Sequence, residues 1–176
     1  MRKLMVIYSI TACIAATSST AADDLYATFF AAAGQPCYAQ LYDSAHMKAH
    51  PRQTISAIEL DFRTNTYDPT PSRPDAFKLN FSVLPKGSDG WFTGWPTCKT
   101  TSDHFVCSLG DDSSGQFTLT PHGSGLIFAV VNRGGTTGDQ IHLLSPDHSR
   151  SFGRPGGDDL VFLLPHVALS VCESAG

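Results

Sequence analysis

The chain lacks any cluster of basic residues, and this absence excludes some classes of binding partner. It has 176 residues, with 12 Lys and Arg against 16 Asp and Glu, and a formal net charge of −4. Beyond Arg2 and Lys3, the cations are scattered along the chain from Lys48 to Arg154. Because nucleic acids and anionic membrane surfaces bind proteins largely through clustered cations, we expect neither as a partner.

The chain also lacks an apolar run long enough to cross a membrane. Its longest uncharged, mostly apolar run, Leu4–Ala16, has 13 residues, whereas a transmembrane helix needs about 20. Arg2 and Lys3 precede this run, and small residues lead from it to Ala22, which is the pattern of a signal peptide. We therefore predict a signal peptide at residues 1–22, a periplasmic or secreted protein, and no stable membrane insertion after the signal is removed.

No motif of a known catalytic mechanism is present. The Gly-X-Ser-X-Gly pattern that exposes the nucleophile of many serine hydrolases does not occur, and Ser88 and Ser124 lie in glycine-rich turns. Two pairs of carboxylates, Asp111-Asp112 and Asp158-Asp159, are adjacent in sequence, so in an extended chain their side chains point apart. We therefore name no catalytic residue and favour a protein that is not an enzyme.

Five cysteines occur, of which four remain after residues 1–22 are removed. An even number in an exported chain predicts disulfides, because the compartment oxidises thiols. Three pairings are possible. We favour Cys98–Cys107, whose intervening residues can close a hairpin, together with Cys37–Cys172, which would join the two ends of the domain. A zinc site made of all four would need paired Cys-X-X-Cys spacing, which is absent.

Alternation of apolar and polar residues dominates the rest of the chain. It is clearest in residues 58–62 and 77–84, and turn-forming residues separate such segments about every 8–12 residues. We predict a single all-β antiparallel domain over residues 23–176, with a short N-terminal helix within residues 25–33. Short turns favour an up-and-down barrel-like form, whereas a sandwich would use the proline-rich loop at 64–75 for a Greek-key crossing.

The stretch DSAHMKAHP, residues 43–51, is the nearest approach to a metal motif. Asp43 is a good N-cap for a short helix, and Pro51 ends that helix at His50. His46 and His50 would then lie one turn apart, a spacing that suits Zn or Cu. A complete site needs further ligands, and no other histidine has a spacing that selects it. We therefore expect no cofactor, with Zn or Cu binding as an alternative.

The segment WFTGW, residues 91–95, offers a candidate ligand site. Trp91 and Trp95 lie four residues apart, beside glycine and proline. Large aromatic rings in a loop or at a sheet edge stack on sugars or anchor protein interfaces. The alternative is that one ring closes the end of the fold and the other packs under a loop.

Three segments of the chain resemble a group of small exported proteobacterial proteins that has no assigned function. They are CYAQLYDSAHMKAHPRQTISAIEL (37–60), CKTTSDHFVCSLGDDSSGQFTL (98–119) and GDDLVFLLPHVALSVC (157–172). The resemblance implies an exported, disulfide-bridged domain and brings no catalytic residue to this chain. Where the group has a further cysteine before the GDDSSG turn, this sequence has Ser108-Leu109-Gly110, so a richer bridge pattern does not apply.

Together these observations favour an exported, non-enzymatic binding or inhibitor-like module whose partner is a protein or a glycan of the cell envelope. Small exported inhibitors of lysozymes or proteases share this size and class, and the acidic balance would suit a basic enzyme such as lysozyme. Two alternatives stay open. One is a metal-binding protein or metal-dependent enzyme that uses His46 and His50, and the other is a structural protein of the cell envelope.

Overall fold

The computed structural model describes residues 21–31, 36–62, 75–110, 115–131, 140–144 and 149–172. The helices are α1 (Ala21–Tyr26), which continues as a π-helical turn (Ala27–Ala31), α2 (Ser44–Ala49) and α3 (Leu169–Cys172). The strands are β1 (Cys37–Leu41), β2 (Ile55–Asp61), β3 (Phe77–Lys78), β4 (Asn80–Pro85), β5 (Phe92–Gly94), β6 (Thr97–Thr100), β7 (Phe105–Ser108), β8 (Gln116–His122), β9 (Gly125–Val130), β10 (Ile141–Leu144), β11 (Ser149–Phe152), β12 (Val161–Leu164) and β13 (His166–Val167).

The predicted all-β class is confirmed, with a short N-terminal helix before the first strand. Every strand pair is antiparallel. Sheet I has the order β11-β10-β5-β4-β2-β1-β13, and sheet II has the order β12-β9-β8-β7-β6-β3. None of the described helices is long and apolar enough to cross a membrane.

The preference for a barrel-like form was wrong, because neither sheet closes on itself within the described residues. Consecutive strands change sheets at several short connections, and residues 77–84, which the sequence analysis treated as one alternating segment, are divided between the two sheets. Leu79 separates β3 in sheet II from β4 in sheet I, while Pro96 and Pro165 stand in the connections β5–β6 and β12–β13. A proline has no N–H for a strand ladder, so pairing is interrupted there and the chain crosses to the other layer.

The two sheets share one core that is rich in phenylalanine. The ring of Phe81 from sheet I lies 5.5 Å from Phe128 and 5.3 Å from Phe117, both in sheet II. The π-helical turn closes one end of the core, where Phe30 packs against Phe105 at a ring distance of 4.8 Å. The Tyr38 hydroxyl donates to the Phe29 carbonyl at 2.7 Å, which fixes the N-terminal segment on β1.

Both predicted disulfides are confirmed. Cys98 and Cys107 face each other on the paired strands β6 and β7. Cys37 on β1 is joined to Cys172 in α3, across a sequence separation of 135 residues. All four cysteines are fully buried, so the bridges lie inside the packed structure.

Several predictions fall outside the described residues. These are the signal peptide apart from Ala21 and Ala22, which begin α1, most of the proline-rich loop at 64–75, and the Asp111-Asp112 pair. They stay predictions.

Candidate functional site

The histidine-bearing helix α2 begins and ends as the sequence predicts. The Asp43 Oδ1 accepts a hydrogen bond from the His46 N–H at 2.7 Å. At the other end the His50 N–H donates to the His46 carbonyl at 2.9 Å, and Pro51 follows, which disfavours a further helical turn. The caps therefore fix two histidines one turn apart on a very short helix.

The two imidazoles are stacked on each other and on a tyrosine. The ring centroids of His46 and His50 lie 4.3 Å apart with planes 23° from parallel, and those of Tyr42 and His46 lie 4.3 Å apart at 26°. We call Tyr42, His46 and His50 the ring stack. Burial, and then the charge of Asp159, raise the pKa of Tyr42 to about 12, so its hydroxyl stays neutral near physiological pH.

The ring stack does not present both imidazoles to one ion. A ligating nitrogen directs a lone pair in its ring plane at a metal about 2.0–2.1 Å away, and stacked rings keep these lone pairs in nearly parallel planes. In addition, the His46 Nε2 lies 2.9 Å from the Gln53 Oε1. Across the described ranges, no three or more His, Cys, Asp or Glu residues come together as a metal site. Zn or Cu binding by His46 and His50 stays a hypothesis, and it requires the rings to reorient.

Next to the ring stack lies a cleft with a volume of about 360 Å³. The residues that line it come from three separate segments: Pro51, Gln53, Thr54, Ile55, Pro85, Lys86, Ser151 and Phe152. Gln53 connects the cleft with the ring stack, because its Oε1 faces His46 while its Nε2 donates to the Ile55 carbonyl at 2.7 Å. The buried amide thus holds the helix and the start of β2 together.

A buried carboxylate fixes one wall of this cleft. Asp159 accepts hydrogen bonds from the Thr54 N–H at 2.8 Å, from the Thr54 hydroxyl at 2.6 Å and from the Ile55 N–H at 3.2 Å. Its neighbour Asp158 instead pairs with the exposed Arg52 at 3.0 Å. The two adjacent carboxylates therefore make separate structural contacts, as their spacing predicts.

Lys86 contributes the charge of the cleft. Lys86 follows β4 directly, and its backbone N–H donates to the Thr54 carbonyl at 2.7 Å. Lys86 is the charged residue among those that line the cleft. No ion pair with its ammonium occurs in the described part of the chain. The charged residue of the cleft lining is therefore a cation, while the Asp159 carboxylate lies behind Thr54 and Ile55.

Ser151 lies at the cleft beside a histidine of the next strand. Ser151 and His142 are directly opposite each other on β11 and β10, and the serine Oγ lies 2.6 Å from the His142 Nδ1. A serine in contact with an imidazole is one part of a nucleophilic mechanism. Acyl transfer would also need oxyanion donors and a group that orients the imidazole, so this contact by itself only orders the hydroxyl.

Trp91 and Trp95 flank strand β5 at its two ends. The Trp95 side chain is 51% exposed, whereas Trp91 is partly buried. Between them, the Thr93 hydroxyl lies 3.0 Å from the Ser82 Oγ on the neighbouring strand. Residues four apart on a strand lie on one face, about 13 Å apart. Trp95 therefore has the exposure that a ligand site requires, and Trp91 has it in part.

Sequence reasoning missed the cleft. Lys86 lies in a turn-rich segment, and Ser151 in a stretch without clear periodicity, and neither carries a signal of function. The nearest signal is Gln53, a polar residue between the histidine helix and an apolar strand, but its burial is a property of the folded chain.

No protein-family model, curated protein or solved structure matches the chain. The resemblance to exported proteobacterial proteins stays a prediction.

Proposed function

We propose that the protein is an exported, non-enzymatic binding module that holds a glycan of the cell envelope through Trp91 and Trp95. The exposure of Trp95 is the observation that carries this proposal. Indole rings are large and mostly apolar, so they are normally covered in a folded protein. An exposed indole matches the apolar C–H face of a sugar ring.

The backbone between the two tryptophans is tightly held. A Cβ added at Gly94 would lie 2.7 Å from a Leu109 methyl and 2.8 Å from a Leu143 methyl, so the glycine lets the strand approach these side chains closely. Phe92, one residue after Trp91, is buried in the core. A binding surface on such a rigid strand loses little conformational entropy when a ligand binds.

Export is supported by two features. The described residues contain two disulfides, which form and persist in oxidising compartments. The predicted signal peptide at residues 1–22 provides a route to such a compartment. We therefore propose that the protein works in the periplasm or the medium.

Co-sedimentation with purified peptidoglycan and with lipopolysaccharide tests the glycan proposal. We expect the exported protein to sediment with at least one of them, and Trp95→Ala to weaken binding about tenfold, as loss of an aromatic hot spot does. Trp91→Ala should have a smaller effect. Leu163→Ala is the matched control, because Leu163 is also 51% exposed but lies on sheet II. Absence of binding to both polymers, or an equal loss in the control, would contradict the proposal.

A second candidate is a protein-binding, inhibitor-like role, which strand β12 favours. Val161 and Leu163 are 60% and 51% exposed, and β12 is an edge strand of sheet II in the described topology. An apolar edge strand readily pairs with another chain. Chemical cross-linking in intact cells should then capture a partner, and Leu163→Lys should abolish that product.

A further inference from the structure

We infer that the cleft next to the ring stack binds a small amphipathic anion: an apolar body that carries one carboxylate, sulfonate or phosphate group. This site is separate from the tryptophan surface, and none of its lining residues belongs to the proposed glycan site. Three properties of the lining support it: its floor is apolar, its cation has no partner carboxylate among the described residues, and its hydrogen-bond acceptors already have donors.

The floor of the cleft is apolar and rigid. Ile55 and Phe152 line it although their side chains are almost completely buried, so they belong to the packed core and are held in place. Pro51 and Pro85 add two rings with a fixed backbone angle. The volume of about 360 Å³ lies near the lower end of the roughly 300–1,000 Å³ typical of ligand sites. The cleft therefore suits a small ligand with an apolar body.

The polar groups of the cleft select for negative charge. The Lys86 ammonium has no partner carboxylate among the described residues. The Gln53 Oε1 is occupied by His46, while its Nε2 has a second hydrogen beyond the one given to the Ile55 carbonyl. Ser151 adds a hydroxyl, which can donate to a ligand when the facing imidazole nitrogen carries the proton. The groups left for a ligand are mainly donors and one cation.

The nearby carboxylates do not cancel this preference. Asp159 does not line the cleft, and its oxygens accept from the Thr54 N–H and hydroxyl and from the Ile55 N–H. Asp158 also lies outside the lining and is paired with Arg52. An anion in the cleft would therefore meet Lys86 as the charged residue of the lining, with the Asp159 carboxylate behind Thr54 and Ile55, and an ammonium–anion hydrogen bond is among the stronger polar contacts.

Two fluorescent probes of nearly the same shape test this inference. Anilinonaphthalene sulfonate is an aromatic anion, and phenylnaphthylamine has the same aromatic body without the charge. We expect the folded wild-type protein to bind the sulfonate with saturable fluorescence and to bind the uncharged probe at least about tenfold more weakly, since a charge-assisted hydrogen bond is lost. Lys86→Gln should remove this difference, and Lys99→Gln, which changes an exposed lysine on sheet II, should leave it intact.

A second variant locates the probe. Ser151 is exposed, so Ser151→Phe is expected to keep the fold while its ring fills the cleft, and binding of both probes should be lost. Circular dichroism verifies the fold of each variant. Absence of saturable binding, equal affinity for the two probes, or binding that survives both Lys86→Gln and Ser151→Phe would overturn the inference. Trp95→Ala should leave probe binding unchanged, so this result is independent of the glycan proposal.

Discussion

Removal of each disulfide in turn should cost the protein different amounts of stability, because the two bridges close loops of very different length. The separations are 135 residues for Cys37–Cys172 and 9 residues for Cys98–Cys107. In the chain-entropy model, closing such loops in the unfolded chain is worth about 5 and about 2.6 kcal/mol at 25 °C. We therefore expect the double variant Cys37→Ala/Cys172→Ala to be less stable than Cys98→Ala/Cys107→Ala by about 2.4 kcal/mol.

The two double variants are matched controls for each other. All four cysteines are fully buried, and each variant replaces two of them with alanine, so the loss of packing is similar in both. The remaining difference is the entropy of the unfolded chain. A loss of about 5 kcal/mol is comparable to the whole stability of many domains, so the variant without the long bridge should be close to unfolding at physiological temperature.

Urea unfolding followed by circular dichroism measures this difference. With a slope of about 2 kcal/mol per molar urea, the two unfolding midpoints should differ by about 1.2 M. Equal midpoints, or a lower midpoint for the variant without Cys98–Cys107, would refute the reasoning. Such a result would mean that the bridge between β6 and β7 stabilises the folded strand pair itself, so that loop entropy is not the dominant contribution.

Three further predictions test the wall of the cleft, the ring stack and a close approach between Gly115 and the backbone of Gln140. Asp159→Ala should lower the free energy of unfolding by about 2–4 kcal/mol, because the part-buried Thr54 donors and the buried Ile55 N–H lose their acceptor. Asp158→Ala should lower it by less than about 1 kcal/mol, because the partner of Asp158 is exposed. Urea unfolding measures both. The pKa of Tyr42 is about 12 in the folded protein against 10.0 ordinarily. The contribution of its neutral phenol to the free energy of unfolding is therefore fully present below pH 10 and is lost as the pH rises through 12. Tyr42→Phe should flatten that part of the stability curve. Gly115→Ala should destabilise the protein by more than about 2 kcal/mol, because φ is +90° and a Cβ would lie 2.1 Å from a backbone oxygen. Gly123→Ala should cost only about 1 kcal/mol, because φ is +60° and the space around it is open. Thermal unfolding compares the two variants.

Each of these predictions has an outcome that contradicts it. Equal losses for the two aspartates would show that the donors find water in place of the carboxylate. Ultraviolet absorbance follows the titration of the tyrosines in the native protein. If Tyr42→Phe removes a group that titrates near the ordinary pKa of 10.0, the burial of Tyr42 is contradicted. Equal costs for the two glycines would mean that the chain near Gly115 moves aside.

Much of the local structure could be predicted from the residues alone. The period-two alternation around Ile58 and Phe81 indicates strands with one apolar face, because side chains alternate across a strand. Asp43 and Pro51 mark the ends of α2 through backbone chemistry that involves only near neighbours. The short disulfide was predictable for the same reason, since Cys98 and Cys107 have the spacing of opposed positions in a hairpin.

The layer to which each strand belongs, and therefore the cleft, was decided by tertiary structure. Connection length does not reveal that the chain crosses between sheets at Pro96, because that choice depends on which phenylalanines can pack together across the core. The cleft unites Gln53, Lys86 and Ser151 from distant segments, and only the tertiary structure brings them together. Sequence by itself determined the class and the capped histidine helix, since these depend on side-chain alternation and local backbone chemistry, and it favoured one of three cysteine pairings. Folding brought Cys37 to Cys172 across 135 residues. Packing between the layers alone decided the sandwich and the site, because burial is a property of the whole folded chain.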